Sequence, residues 1–224
     1  MKRLFFLVFF MLFTFKCFAE SGVQERFSNG QKYLLRLPQG YTAAEKRYPL
    51  LIAIHWFRGN ASQAVNEWGF VANKNGCILV CPEFADGYQK FARGEDRKLC
   101  AVIEDVKRDF SVNESKIFIA GFSGGAQFAH RFVFKHPLVC TAACIISAGD
   151  YDAPLNSKEA KAVKYFVGVG TSDERLAATT AFYKKLQAKG YDVTFKTFPQ
   201  VGHTLHSSIK QAVSDFLKGV LSLS

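Results

Sequence analysis

Short apolar runs alternate with amphipathic stretches over most of the chain, and this alternation restricts the possible folds more than any other feature. The runs are nearly continuous in aliphatic, β-branched and aromatic residues, which is typical of strands that helices cover on both faces. They predict strands at 33–37, 48–55, 77–81, 116–121, 141–147, 163–169 and 193–198. Apolar residues at helical spacing predict helices at 101–110, 125–135, 176–189 and 209–217. The sequence therefore predicts an α/β fold with a mainly parallel central sheet and helices on both faces.

The first 19 residues have the order of a secretory signal peptide. Lys2 and Arg3 precede an apolar run at 4–15, and Ala19 is a small residue suited to cleavage. The run is too short to span a bilayer comfortably, and no later stretch is long enough to do so. We expect residues 1–19 to be removed and residues 20–224 to form a single domain that is secreted or periplasmic, without stable membrane insertion. An uncleaved anchor is the alternative.

The balance of charge indicates no nucleic-acid partner. The formal net charge is +10, and loss of residues 1–19 lowers it to +7, because they carry three basic residues and no acidic one. The remaining lysines and arginines are scattered rather than gathered in the stripe that grips a phosphate backbone. This distribution favours a solvated basic surface.

Five cysteines follow the predicted signal peptide, and export would permit them to form disulfides. They are Cys77, Cys81, Cys100, Cys140 and Cys144. Cys81 ends a predicted strand and Cys100 enters the next helix, so these two could close a loop, although free thiols are the equal alternative. The odd count leaves at least one thiol unpaired within the chain. No Cys/His spacing has a zinc pattern, so no metal is expected.

Ser123 stands between glycines in "GFSGG", directly between a predicted strand and a predicted helix. A sharp strand-to-helix turn pushes a serine hydroxyl clear of the sheet, provided that the neighbouring residues lack bulk. Gly121 and Gly125 provide that space. The pentapeptide alone is a weak signal, but its position makes Ser123 the candidate nucleophile rather than a small residue in an ordinary turn.

A serine nucleophile needs a base, and the base needs an acceptor that orients it. His203 lies in a loop after the last predicted strand and is the candidate base, with His206 as the alternative. Asp173 lies between a strand and a helix and is the candidate acceptor. Asp150 and Asp152 are the alternatives, and Asp173 could instead cap its helix. The chain order Ser, Asp, His is the one expected for a nucleophile elbow on such a sheet.

Backbone donors for an oxyanion complete the predicted site. The amide of Gly124 follows the nucleophile and starts the next helix. A second amide is expected from the loop "HWFRGN", where Phe57 is the candidate and Trp56 the alternative.

Together these residues resemble the α/β-hydrolase superfamily, and within it secreted esterases of the polyhydroxybutyrate depolymerase and feruloyl esterase type, related to dienelactone hydrolase-like proteins. The resemblance runs from about residue 31 to the carboxyl end. The matching residues are His55, Pro82, Asp105 with Val106, "GFSGG", Gly170 with Asp173, and Gly202 with His203. The sequence departs from the family at Trp56 and Arg58, where glycine is usual, and this puts the second oxyanion donor in doubt.

The resemblance implies a serine carboxylesterase that acts on small-molecule or polymer esters through an acyl-enzyme, with no cofactor. Trp56, Phe84 and Tyr88 are candidate substrate contacts, with packing as the equal alternative. No insertion is long enough for a large lid domain. A peptidase of the prolyl-peptidase type is one alternative function. A secreted binding protein that has lost the chemistry is another, and a serine oxygen more than about 4 Å from any histidine nitrogen would favour it.

Overall fold

One eight-stranded sheet organises the protein in the computed structural model, which describes residues 22–44 and 46–223. The strands are β1 (Val23–Ser28), β2 (Gln31–Arg36), β3 (Tyr48–Ile54), β4 (Ile78–Pro82), β5 (Val112–Phe122), β6 (Ala142–Ile146), β7 (Lys164–Gly170) and β8 (Val193–Phe198). The helices are α1 (Ala61–Lys74), α2 (Glu95–Asp109), α3 (Gly124–Lys135), α4 (Lys158–Ala162), α5 (Leu176–Ala188) and α6 (Ser207–Ser222). The expected signal peptide at 1–19 lies outside the described residues.

The strands lie side by side in the order β1-β2-β4-β3-β5-β6-β7-β8. All pairs from β4 to β8 are parallel, whereas β1 and β2 form an antiparallel hairpin at one edge. The prediction of a mainly parallel sheet is therefore confirmed. Because β5, β6, β7 and β8 are consecutive parallel neighbours, the loops that follow them all open at the same edge of the sheet.

Helices cover both faces of the sheet, as the continuous apolar strands predict. Helices α1 and α6 pack on one face, where Trp68 and Leu217 are fully buried. Helices α2, α3 and α5 pack on the other, around Val102, Phe128 and Phe182. Removing this apolar surface from water is the main stabilising contribution, at roughly 25 cal/mol per Å² buried.

Strand β1 and helices α1 and α4 were not predicted, although the sequence carries a signal for the first two. Strands β1 and β2 are joined by a tight turn in which Asn29 and Gly30 both have positive φ, at 47° and 76°, and Asn-Gly is the usual pair for such a hairpin. Helix α1 begins with a capping box, in which the Asn60 side chain accepts from the Gln63 amide and the Gln63 side chain accepts from the Asn60 amide. Strand β1 lies at the edge of the sheet and has few apolar residues, so the apolar pattern of the sequence does not identify it.

Helix α2 begins at Glu95, six residues before the predicted start at 101. The segment before that start is too polar to suggest a buried element, yet Glu95 and Asp96 are both buried. Arg93 pairs with Glu95, while Lys135 and a ring nitrogen of His136 contact Asp96. Because these partners compensate the buried carboxylates, the first turn of α2 can pack against the protein.

Of the two alternatives for Cys81 and Cys100, the structure has the free thiols rather than the disulfide. Cys81 is fully buried on the face covered by α1 and α6, whereas Cys100 packs against the cluster on the opposite face. All five cysteines after residue 19 are free thiols. None of the helices in residues 22–44 and 46–223 is both long and apolar enough to cross a membrane.

Candidate active site

Ser123 occupies a strained turn between β5 and α3. Its φ of 55° and ψ of −118° are rare for a residue with a side chain, and such backbone conformations cost on the order of 1–3 kcal/mol and cluster at functional sites. A methyl group on Gly121 would lie 2.2 Å from the carbonyl oxygen of Gly125, and one on Gly125 would lie 2.3 Å from that of Ile54. The turn therefore closes only with glycine on both sides of Ser123.

A continuous chain of hydrogen bonds joins the three predicted side chains. The Ser123 Oγ lies 3.0 Å from Nε2 of His203. This is hydrogen-bond distance, well below the separation of about 4 Å beyond which His203 could not take the serine proton directly. Nδ1 of His203 lies 3.0 and 3.1 Å from the two carboxylate oxygens of Asp173. This arrangement fixes which ring nitrogen faces the serine.

The surroundings hold the carboxylate and the imidazole in place. The Asp173 side chain is fully buried and also accepts a hydrogen bond of 2.8 Å from the amide of Arg175. The His203 ring packs on Phe122, with ring centroids 4.7 Å apart, and keeps 30% of its side chain exposed. A buried acceptor and a partly exposed imidazole allow the ring to gain and lose a proton beside a substrate.

The alternative residues considered from the sequence have other partners. His206 caps the start of α6, where its Nδ1 accepts from the amide of Ser208. Asp150 and Asp152 both bind the buried guanidinium of Arg131. None of the three contacts Ser123 or His203 in the hydrogen bonds of the described residues.

The loop after β3 brings a backbone amide over the start of α3, despite its bulky residues. The Phe57 nitrogen lies 2.7 Å from the position that a methyl group on Gly124 would occupy. Arg58 adopts a φ of 61°, so it takes the left-handed backbone for which glycine is better suited. The turn is closed by a hydrogen bond from the Gly59 amide to the Trp56 carbonyl. The departure from the glycine pattern thus leaves the Phe57 amide beside Gly124.

Comparison with known proteins identifies the family of the chain. The family model described as Phospholipase/Carboxylesterase matches residues 89–221, more than half of the chain. The chain belongs to this α/β-hydrolase family. Its matched region contains Ser123, Asp173 and His203, whereas the loop at Phe57 lies before it.

Curated relatives of this carboxylesterase-family chain include a probable feruloyl esterase C from Aspergillus terreus. The two sequences are 29% identical across 58% of this chain and 50% of the relative. The feruloyl esterase C of Emericella nidulans is also 29% identical, across 54% of this chain and 47% of its own. The chain spans about half the length of the curated relatives it matches.

Solved structures share the fold at low sequence identity. The S-formylglutathione hydrolase FrmB of Staphylococcus aureus has a TM-score of 0.69 at 16% identity, covering 89% of this chain and 95% of that one. This likeness shows that the α/β-hydrolase fold extends over nearly all of the chain.

Phe84 and Tyr88 do not line the site of this carboxylesterase-family protein, so the prediction that they contact substrate is wrong. Phe84 is 4% exposed and Tyr88 is fully buried. Their rings stack, and both pack against Phe128 of α3. This aromatic packing anchors the loop after β4 to the helix that follows Ser123.

His55 links that anchored loop to the Phe57 turn. Its Nδ1 lies 2.8 Å from the Trp56 carbonyl and its Nε2 accepts from the Phe84 amide at 3.1 Å. The hydroxyl of Tyr88 donates to the His55 carbonyl. Burial raises the pKa of the Tyr88 phenol, which keeps it protonated as a donor. These bonds hold the backbone that carries the Phe57 amide.

Trp56 does face a cavity beside the candidate base. A pocket of about 200 Å³ is lined by Trp56, Glu67, Phe122, His203, Thr204 and Leu205. Trp56 also packs against the cluster under α1 and α6, so contact with substrate and packing are both compatible with its position.

Gln89 is a neighbour of the site that sequence reasoning missed. Its side-chain nitrogen lies 3.1 Å from the same position on Gly124 that the Phe57 amide approaches. It belongs to a short 3-10 helix, Tyr88–Lys90, in the polar segment after β4. A single glutamine in a polar loop carries no motif that could have identified it.

Proposed function

We propose that this protein hydrolyses carboxylic esters, with Ser123 as the nucleophile, His203 as the general base and acid, and Asp173 as the residue that orients His203. The observation that carries this proposal is the hydrogen-bonded chain from Ser123 through His203 to Asp173, which begins at a strained strand-to-helix turn. Membership of the carboxylesterase family supports it. The names of the curated relatives point to the same chemistry.

In the first half of the reaction, the Ser123 oxygen attacks the ester carbonyl carbon and His203 takes the hydroxyl proton. The imidazolium that forms is stabilised by the buried Asp173 carboxylate, which stays ionised. The tetrahedral intermediate then collapses, the bond to the alcohol oxygen breaks, and His203 returns the proton to the departing alcohol. The acyl group remains bonded to Ser123.

Water completes the cycle. His203, neutral again, takes a proton from a water molecule that attacks the acyl carbon, and it then returns the proton to the Ser123 oxygen as the acid leaves. In both halves the negative oxygen accepts hydrogen bonds from the amides of Gly124 and Phe57. Such preorganised donors are among the largest contributions to acyl-transfer catalysis.

We propose that the substrates are small-molecule or polymer esters. Phe57 is 48% exposed beside Gly124, and Trp56 lines the cavity next to His203. These aromatic surfaces suit an apolar or aromatic substrate group. Since curated relatives are named feruloyl esterases, methyl ferulate belongs in the substrate panel beside short nitrophenyl esters.

The kinetic test uses that panel with wild type, Ser123→Ala and Ser172→Ala. Ser172 is an exposed serine next to Asp173 and serves as the matched control. We expect wild type and Ser172→Ala to turn over at least one ester, while Ser123→Ala loses about 10⁶-fold in kcat. Turnover that survives in Ser123→Ala would contradict the proposal. Cleavage of peptides in preference to every ester would favour the peptidase function instead.

We also propose that residues 20–224 work as one domain after export to the medium or the periplasm. The amino-terminal order of basic pair, apolar run and small residue supports this. Amino-terminal sequencing of the protein recovered outside the cytoplasm should begin at Glu20. Recovery only in the cytoplasm, with Met1 or Lys2 as the first residue, would contradict it.

A further inference from the structure

We propose that the side-chain amide of Gln89 is a third hydrogen-bond donor to the negatively charged oxygen of the acyl-transfer intermediate, beside the amides of Phe57 and Gly124. This inference rests on the proposed ester hydrolysis and adds a substrate-contacting residue to it.

Two nitrogen donors from other segments approach one position next to Gly124. The position that a methyl group on Gly124 would occupy lies 2.7 Å from the Phe57 nitrogen and 3.1 Å from Nε2 of Gln89. A backbone nitrogen from the loop after β3 and a side-chain nitrogen from the short helix therefore lie next to a volume that only glycine leaves open.

These donors are also uncommitted. No acceptor for the Phe57 amide or for the Gln89 side chain is found among the described residues. Gly124 is the first residue of α3, and an amide at that position has no acceptor within the helix. Gln89 is partly exposed, and its side-chain nitrogen is not among the buried unpaired atoms, so a substrate oxygen can reach its N–H groups.

The backbone of Gln89 is held firmly, which fits a preorganised donor. Its carbonyl accepts from the buried guanidinium of Arg131. The preceding residue, Tyr88, is fully buried and bonded to the His55 carbonyl, so the same contact links Gln89 to the Phe57 loop. The residues that flank the short helix, Gly87 and Phe91, both have a left-handed backbone conformation.

The charge of the neighbourhood agrees with a donor role. Beyond Gln89, Arg131 is paired with Asp150 and Asp152 and is committed to them. The side-chain donor next to Gly124 is therefore the neutral amide of Gln89. Because this amide carries no charge, binding an oxyanion does not require a charged side chain to lose its water.

Two substitutions test the assignment. Gln89→Leu removes both donors and keeps the approximate volume. Gln89→Glu keeps the shape and replaces the amide with a carboxylate that repels an oxyanion. Lys90→Gln is the matched control, because Lys90 lies in the same short helix with 75% of its side chain exposed. The measurements are kcat and KM on a nitrophenyl ester, and the inhibition constant of a boronic acid that forms a tetrahedral anion on serine.

We expect Gln89→Leu to lower kcat by about 10- to 10²-fold with little change in KM, because the donor acts on the intermediate. Boronate affinity should fall in parallel, Gln89→Glu should lose more than Gln89→Leu, and Lys90→Gln should match wild type. An active wild type with equal kcat and boronate affinity in Gln89→Leu or Gln89→Glu would overturn the assignment while leaving the ester-hydrolase proposal intact. A wild type that turns over no ester would instead refute the proposed function.

Discussion

The backbone nitrogen of Phe57 lies 2.7 Å from the position where a side chain on Gly124 would begin. A carbon atom that close to backbone forces the loop or the helix to shift. We therefore predict that Gly124→Ala lowers kcat by about 10²- to 10³-fold, the usual cost of losing an oxyanion donor. Steady-state kinetics on a nitrophenyl ester measure this directly.

The matched control for that substitution is Gly219→Ala in α6. A methyl group on Gly219 meets nothing within 4 Å, so the variant should keep full activity. Its free energy of unfolding should rise by up to about 1 kcal/mol, because alanine is the better helix former. Full activity in Gly124→Ala would show that the space between Phe57 and Gly124 is not used.

Asp173→Asn tests the orientation of the imidazole. An amide in place of the buried carboxylate can donate to Nδ1 of His203, which favours the tautomer whose Nε2 carries the proton and cannot accept one from Ser123. We predict a loss of about 10⁴-fold in kcat with the fold retained. Asp150→Asn, on the surface next to Arg131, should stay within a few-fold of wild type, and a similar loss there would argue against a specific role for Asp173.

Arg58→Gly and Arg58→Val test the turn that presents the Phe57 amide. Since Arg58 has a φ of 61°, glycine relieves strain, whereas a β-branched residue is a conformational outlier there. We predict that Arg58→Gly keeps kcat within about threefold and that Arg58→Val loses activity by displacing the turn. If Arg58→Val were as active as Arg58→Gly, the position of this turn would not limit the reaction.

We predict that His130 makes the stability of the fold depend on pH. It is fully buried between Ala126 and the amide of Asp152. Burial lowers its pKa from the usual 6.5 to about 4. In that range the unfolded chain binds the proton more tightly than the folded protein does. The stability that the neutral ring provides is therefore complete above pH 6.5 and is lost as the pH falls toward 4.

Protonation of His130 is expected to lower the free energy of unfolding by on the order of 3 kcal/mol between pH 6.5 and pH 4. Urea unfolding of wild type and His130→Gln at several pH values isolates it, because the other titrating groups are common to both proteins. The difference in stability between the two proteins should shrink as the pH falls. A difference that stays constant with pH would contradict the assignment of this loss to His130.

Much of the site could be predicted because its residues are tied to strand ends. Glycines around Ser123 mark the turn in the sequence itself. Asp173 and His203 each follow one of the later strands, and parallel neighbours bring such positions to one edge of the sheet. The bulky Trp56 and Arg58 were a reason to doubt the oxyanion loop, yet Arg58 takes the left-handed backbone regardless of its side chain.

The features of the site that the sequence did not predict depend on packing between segments far apart in the chain. Phe84 and Tyr88 stand in a polar stretch that suggests an exposed rim, but both are buried against Phe128, which lies 40 or more residues later in the chain. Gln89, the residue after the anchored Tyr88, approaches Gly124 through this packing between distant segments. Periodicity detects a face of one element, and it contains no information about which loop that face will meet.

Mapping the site of covalent labelling tests most directly whether Ser123 is the nucleophile. The purified protein is treated with a fluorophosphonate, digested and mapped by mass spectrometry, with Ser123→Ala and Ser172→Ala treated in parallel. We predict one adduct, on the peptide that contains Ser123, in wild type and in Ser172→Ala, and none in Ser123→Ala. An adduct on another residue, or an unlabelled protein that still hydrolyses esters, would contradict the assignment of Ser123 as the nucleophile.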